Sequence, residues 1–153
     1  MTMDPGYFRG LYKSSDDPWG MAERWYEARK YAVSVALLPR ERYASAFEPG
    51  CSVGESFDLI VLSEVLYYFG DADLDAVLRL SVGALRPDGQ LLAVHWRHEA
   101  PGYPRTGDSV HGTLAGHVGL VCLGRYRDPD FTAEVYARAG GDLRSVAQVE
   151  GIA

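Results

Sequence analysis

Four histidines, one glutamate after an apolar run, and one glycine-rich segment are the parts of this 153-residue chain whose chemistry stands out. His95 and His98 flank Trp96-Arg97 at the end of the apolar run 89–96. Strand alternation would set the two histidines on opposite faces, a poor arrangement for chelating a metal. His111 and His117 lie six apart and share no helix face well, so no metal site is expected. Open α/β sheets collect ligand groups beyond the carboxyl ends of their strands. His95, at such an end, is the first candidate for a general base, and Trp96 beside it is a candidate substrate contact. Asp108 and His111, in Asp108-Ser109-Val110-His111, form a second candidate pair near an acceptor. A hydrolase reading is weaker, because no Gly-x-Ser-x-Gly nucleophile elbow occurs.

The run Glu48-x-Gly50-x-Ser52-x-Gly54 follows a short apolar segment. Glycines let a backbone turn tightly and approach a ligand closely. A carboxylate at a strand end can accept a bond from a hydroxyl or ammonium group. The segment reads equally as a plain tight turn.

These residues need elements to hold them. Asp17-Pro18 is a helix-start signal, an acidic cap with proline at the first helical position. The pattern predicts a helix over 19–38, with Met21, Trp25, Ala28 and Ala32 on one face and Trp25 in the core. Pro39 ends it. Residues 43–47 and 57–62 read as strands, the second (FDLIVL) apolar throughout and suited to a parallel strand covered on both faces. Residues 71–85 form an amphipathic helix with Leu74, Val77, Leu78, Leu80, Val82 and Leu85 inward and Asp71 or Asp73 as cap. A turn at 86–89 leads to a strand over 89–96. A short helix is expected over 108–117. Residues 119–126 and 131–138 pair as an antiparallel hairpin around Asp128-Pro129-Asp130. Residues 1–18 read as a mobile leader and 140–153 as a loose tail of one domain.

Composition limits the partners. Hydrophobic residues make up 47% and charged residues 24%, which supports a packed core. A net charge of −6 argues against nucleic acid or an anionic membrane as partner. It suits a small neutral or cationic molecule. Two widely spaced cysteines, Cys51 and Cys122, make no disulfide framework. With no secretory or membrane-spanning apolar run, a cytoplasmic protein is expected.

Taken together, FDLIVLSEVLYYF, a helix, and LRPDGQLLAVHW resemble the fourth strand, following helix and fifth strand of class I S-adenosylmethionine-dependent methyltransferases. The Glu48–Gly54 run resembles that family's first motif, with Ser52 in place of its middle glycine. Asp17-Pro18-Trp19 and Ser63-Glu64-Val65-Leu66-Tyr67-Tyr68 are similar, more narrowly, to the nodulation protein S group, which methylates an amine of a chitooligosaccharide. The resemblance implies a Rossmann-like α/β sheet with a final antiparallel hairpin, S-adenosylmethionine as cofactor, and a small-molecule acceptor methylated on an amine or hydroxyl. It implies cofactor contacts from Glu48, Gly50, Cys51, Ser52, Gly54 and Ser63. It places Glu64 beside the transferred methyl group and Tyr67 and Tyr68 as substrate contacts. The 19–38 helix becomes a lid offering Trp19 and Tyr26.

One stretch departs from the family. After the glycine motif, a member has a helix, the second strand, another helix and the third strand; these two strands carry the ribose and adenine contacts. Here Gly54-Glu55 runs directly into Ser56-Phe57. Either residues are missing from the numbered sequence, or the gene carries an internal deletion, or the pieces have rearranged; some form of loss is favoured. Since a parallel crossover normally takes a dozen or more residues, so short a join is not expected to leave the first and fourth strands as parallel neighbours. A chain so shortened would bind cofactor weakly and could survive as an inactive binding module.

Overall fold

A computed structural model describes residues 2–15, 17–48, 56–141 and 143–153. The long apolar runs build one sheet. β1 (Ala46–Phe47), β2 (Phe57–Ser63) and β3 (Leu85–Trp96) are parallel; β5 (Phe131–Arg138) runs antiparallel to β3, and β4 (Leu120–Arg127) antiparallel to β5. The order is β1-β2-β3-β5-β4. This is the expected α/β sheet with a terminal antiparallel hairpin, and no second or third family strand occurs among the described residues.

Alternation along the central strands makes two cores. Ile60 and Leu62 of β2, Leu91 and Ala93 of β3, and Tyr136 of β5 face α3 (Asp71–Ala84) and α4 (Gly107–Ala115). Leu59, Leu92, Val94, Phe131 and Ala133 face the opposite side, under α2 (Trp25–Ala36) and the segment after it. Each fully buried leucine contributes roughly 1.5–3 kcal/mol, so a strand covered on both faces holds twice over.

Several expectations are corrected. First, β1 and β2 are parallel neighbours, with Ala46 opposite Leu59 and Phe47 opposite Ile60. The crossover rule assumes full-length strands. Because β1 has two residues, the chain must return only from the level of Ile60 to that of Phe57, roughly 10 Å of strand. The nine residues between the strands can reach roughly 30 Å.

Second, the helix expected over 19–38 begins at Trp25, not Trp19. The Asp17 carboxylate accepts from the amides of Met21 and Ala22 at 2.8 and 3.0 Å, and so caps a separate turn. Third, Trp25 is 78% exposed rather than core. The inward face of α2 is Tyr26, Glu27, Lys30, Val33, Ser34 and Leu37, which hydropathy alone turns outward because two of its members are charged. Fourth, no turn separates residues 86–89 from the following strand. They bulge within β3, whose pairing jumps from Phe57–Leu85 to Leu59–Gln90. Gly89 permits this, since a Cβ there would lie 2.8 Å from the Phe57 carbonyl oxygen. Fifth, the leader contains a helix, α1 (Pro5–Ser14), because Asp4 accepts from the Gly6 amide and proline occupies the first turn.

The helix over 71–84 forms as expected, although Leu80 is exposed. Neither acidic residue caps it: Gly70 holds the cap position, and its amide donates to Thr2 Oγ1 at 3.1 Å. The tail carries one short turn of helix, α5 (Val146–Val149), with a Ser145–Gln148 capping box. Among the described residues no helix is long and apolar enough to cross a membrane.

Candidate active site

The parallel strands β2 and β3 end together, and Glu64 sits immediately beyond β2. Its amide donates to the Val94 carbonyl at 2.8 Å, continuing the strand ladder. Its φ of 54° is the sole left-handed value at a non-glycine residue among the described residues. Such a conformation at glutamate is uncommon and persists only where surrounding contacts over-determine it.

Those contacts converge on the Glu64 carboxylate. Lys30 Nζ donates to Oε1 at 2.8 Å. The Tyr67 hydroxyl and the Trp96 amide donate to Oε2 at 2.5 and 3.1 Å. Lys30 also pairs with Glu27 at 2.8 Å and lies 5.2 Å from the Tyr26 ring centroid. Lys30 is 1% exposed and Glu27 7%, while the Glu64 side chain keeps 18% of its surface. Burial disfavours the Lys30 ammonium, but the charges of Glu64 and Glu27 outweigh it and hold its pKa above the ordinary lysine value. Burial, then the Glu64 charge and hydrogen bond, raise the Tyr67 phenol. Tyr67 therefore stays a donor. Burial likewise raises Tyr26, whose buried hydroxyl has no hydrogen-bond partner.

An aromatic wall continues from Tyr67. Its ring stacks on Tyr103 with centroids 5.3 Å apart, and Tyr68 meets both at 4.8 Å. Phe8 of α1 packs on Tyr68. Burial, then the Tyr68 hydroxyl, push Tyr103 up to about 12. A groove of about 550 Å³, lined by Tyr103, Pro101, Glu99, Arg105, Thr106 and Ser109, opens beside this wall.

His95 and His111 lie beneath it. His95 is fully buried, and its Nε2 accepts from the Leu66 amide at 3.2 Å. Its Nδ1 is 3.2 Å from His111 Nε2, and His111 Nδ1 is 2.5 Å from Glu134. Burial, then the neighbouring His111 and Lys30, place the His95 pKa well below that of an ordinary histidine. His95 thus has no free lone pair to act as a general base, and His111 is equally committed. The sequence could not show this, because the partner amide and Glu134 come from distant segments.

Other expected residues are dispersed. Asp108 does not pair with His111; it is held by Arg97 at 2.8 and 3.0 Å and Arg127 at 2.8 Å. Trp96 is 39% exposed at the end of β3 and meets His98. Trp19 packs on Tyr12 of α1. Glu48 is exposed just after β1, and Ser63 is the last residue of β2. Gly50, Cys51, Ser52 and Gly54 lie outside the described residues. Lys30, Glu27 and Tyr103 were not legible as site residues.

No family model and no curated protein matches the sequence. Solved structures do. A crystal structure assigned as a methyltransferase from Pseudomonas syringae is 31% identical, with a TM-score of 0.65, covering 75% of this chain and all of that one. The N-methyltransferase NodS from Bradyrhizobium japonicum, in complex with S-adenosyl-L-homocysteine, is 19% identical with a TM-score of 0.72, covering 86% of this chain and 98% of that one. The second likeness is one of fold; the first also carries sequence. With the strand order and the motifs on either side of the short join, they assign the chain: it belongs to the class I S-adenosylmethionine-dependent methyltransferase family.

Proposed function

We propose that the chain transfers a methyl group from S-adenosylmethionine to an amine or hydroxyl of a small molecule, an amino sugar among the candidates, at the Glu64 cluster. The observation carrying this reading is the Glu64 carboxylate, held on a left-handed backbone at the carboxyl edge of the parallel strands and kept partly open.

The cofactor, when bound, supplies an electrophilic methyl group on a sulfonium, so the protein has mainly to orient the acceptor and exclude water. Glu64 Oε1 retains capacity to accept one further bond, and an acceptor ammonium or hydroxyl is oriented by it. Tyr67 and the Trp96 amide hold the carboxylate still. The Tyr67–Tyr103 stack forms the wall against which the acceptor lies. Glu64, not His95, takes the role of proton acceptor, assisted by its position at the open edge. Glu48 and Ser63, ending adjacent strands, support the methionine end of the cofactor.

The residues fit the acceptor end of this chemistry better than the nucleoside end. β1 is the sheet edge among the described residues. The two strands that bear ribose and adenine contacts in the family have no counterpart there. That favours a second reading, a binding module without turnover. Calorimetric titration with S-adenosylhomocysteine tests both. A micromolar Kd, with methylation of an amino sugar that is lost in Glu64→Gln, supports the enzyme. No heat at millimolar ligand overturns it and leaves the module.

A further inference from the structure

A buried polar chain runs from the sheet to the Glu64 cluster. Glu134 of β5 is 1% exposed and accepts from His111 Nδ1, from the Tyr136 hydroxyl and from the Arg125 guanidinium of β4. Burial alone would raise its carboxyl, but these donors, His111 first, outweigh that and hold it below the ordinary value. It is therefore a carboxylate that can only accept.

The other end is equally constrained. Leu66 opens the 3-10 turn Leu66–Tyr68, and its amide has no acceptor within the turn. His95 Nε2 takes that bond, so the one proton of the neutral ring sits on Nδ1. His95 Nδ1–H must then donate to His111 Nε2, and His111 carries its own proton on Nδ1, facing Glu134. Every link has one permitted direction. The groups facing this chain include Tyr67, whose ring lies 5.4 Å from His95, Lys30, Asp108, Tyr136, Arg125 and Cys122.

We propose that Glu134 is a positioning residue: through the enforced tautomers of His111 and His95 it anchors the Leu66 amide, and so holds Tyr67 against Glu64. An amide at position 134 could donate instead. The chain could then reverse, His95 would carry its proton on Nε2, and that proton would oppose the Leu66 amide. Tyr67 would lose the fixed turn that aims its hydroxyl at Glu64. The catalytic meaning of this device rests on the function proposed above, but its physical content does not.

The test is nitrogen-15 NMR of the histidine rings in the full chain, with amide exchange of Leu66. In the unmodified protein, both His95 and His111 are expected as Nδ1–H tautomers. Glu134→Gln is expected to populate Nε2–H at His95 and to speed Leu66 exchange at least tenfold, with Ile60 and Leu62 of β2 changing less than twofold. An Nε2–H His95 in the unmodified protein overturns the proposal. So does a Glu134→Gln variant with unchanged His95 tautomer and unchanged Leu66 exchange, or one in which all amides speed up together. If that variant does not fold, the unmodified spectrum alone still decides the tautomers. Neither readout needs turnover, so a failed methylation assay leaves this result standing.

Discussion

Lys30 Nζ lies 2.8 Å from Glu64 Oε1, joining the middle of α2 to the residue that follows β2. Thirty-four residues separate them in sequence, and the pair closes one side of the candidate site. Removing one partner of a buried pair strands the other charge, which typically costs about 3–5 kcal/mol. Lys30→Met is expected to lose that much, measured by urea unfolding at neutral pH. Adding Glu27→Gln and Glu64→Gln should recover most of it. The exposed Arg79–Asp75 pair is the control: Arg79→Ala should cost no more than about 0.5 kcal/mol. Similar losses at both sites would contradict the assignment.

The left-handed backbone at Glu64 gives a second expectation. Glu64→Ala and Glu64→Gly both delete the carboxylate and differ only in the Cβ. Glycine tolerates this conformation and alanine does not. The glycine variant should be more stable by about 1 kcal/mol in thermal unfolding, although glycine is ordinarily the less stable choice. Equal stabilities would mean that the strain is not there.

Acid should weaken the turn between β4 and β5. Burial works to raise the Asp128 carboxyl. The amides of Phe131 and Asp130, Arg29 and the Tyr126 hydroxyl outweigh it and lower it to about 2. A carboxyl lower in the folded than in the unfolded chain stabilises above the unfolded value near 3.8, and that contribution is lost as pH falls toward 2. Asp128→Asn should therefore cost more stability at pH 6 than at pH 2.5. Denaturant titrations at the two pH values would read this, and a pH-independent difference would refute it.

Two glycines of α4 should respond in opposite directions. A Cβ at Gly107 would stand 2.2 Å from the Trp96 carbonyl oxygen, where the helix start touches the end of β3. Gly107→Ala should destabilise by about 1–3 kcal/mol through backbone displacement. Gly112 is exposed with nothing within 4 Å of a Cβ. Gly112→Ala should stabilise by about 0.5–1 kcal/mol. Thermal melts of both variants check the pair together.

Much of the fold was legible because hydropathy is local. The apolar run at β2, the amphipathic helix at 71–84 and the β4–β5 hairpin all follow from residue order. The start of α2 was misplaced because Asp17-Pro18 caps a turn as readily as a helix. Its buried face was misread because periodicity counts Glu27 and Lys30 as outward-facing, whereas their mutual charge lets them go inward. The bulge at 86–89 was read as a turn because Pro87-Asp88-Gly89 has turn chemistry in either setting.

By itself, the sequence determined the class of sheet and the position of Glu64 after an apolar strand, both properties of spacing along the chain, and its resemblance to methyltransferases pointed to the family that the solved structures then showed. Tertiary structure alone decided which candidate groups stay open and which are committed to partners. His95 stands at the carboxyl end of its strand, as expected, yet the Leu66 amide takes its lone pair. Lys30 carries no mark in the sequence, yet it is buried between two carboxylates. β1 sits beside β2 despite a short join, because its two residues demand so short a return. In each case the deciding term is a contact or a distance between remote segments, and no local pattern encodes it.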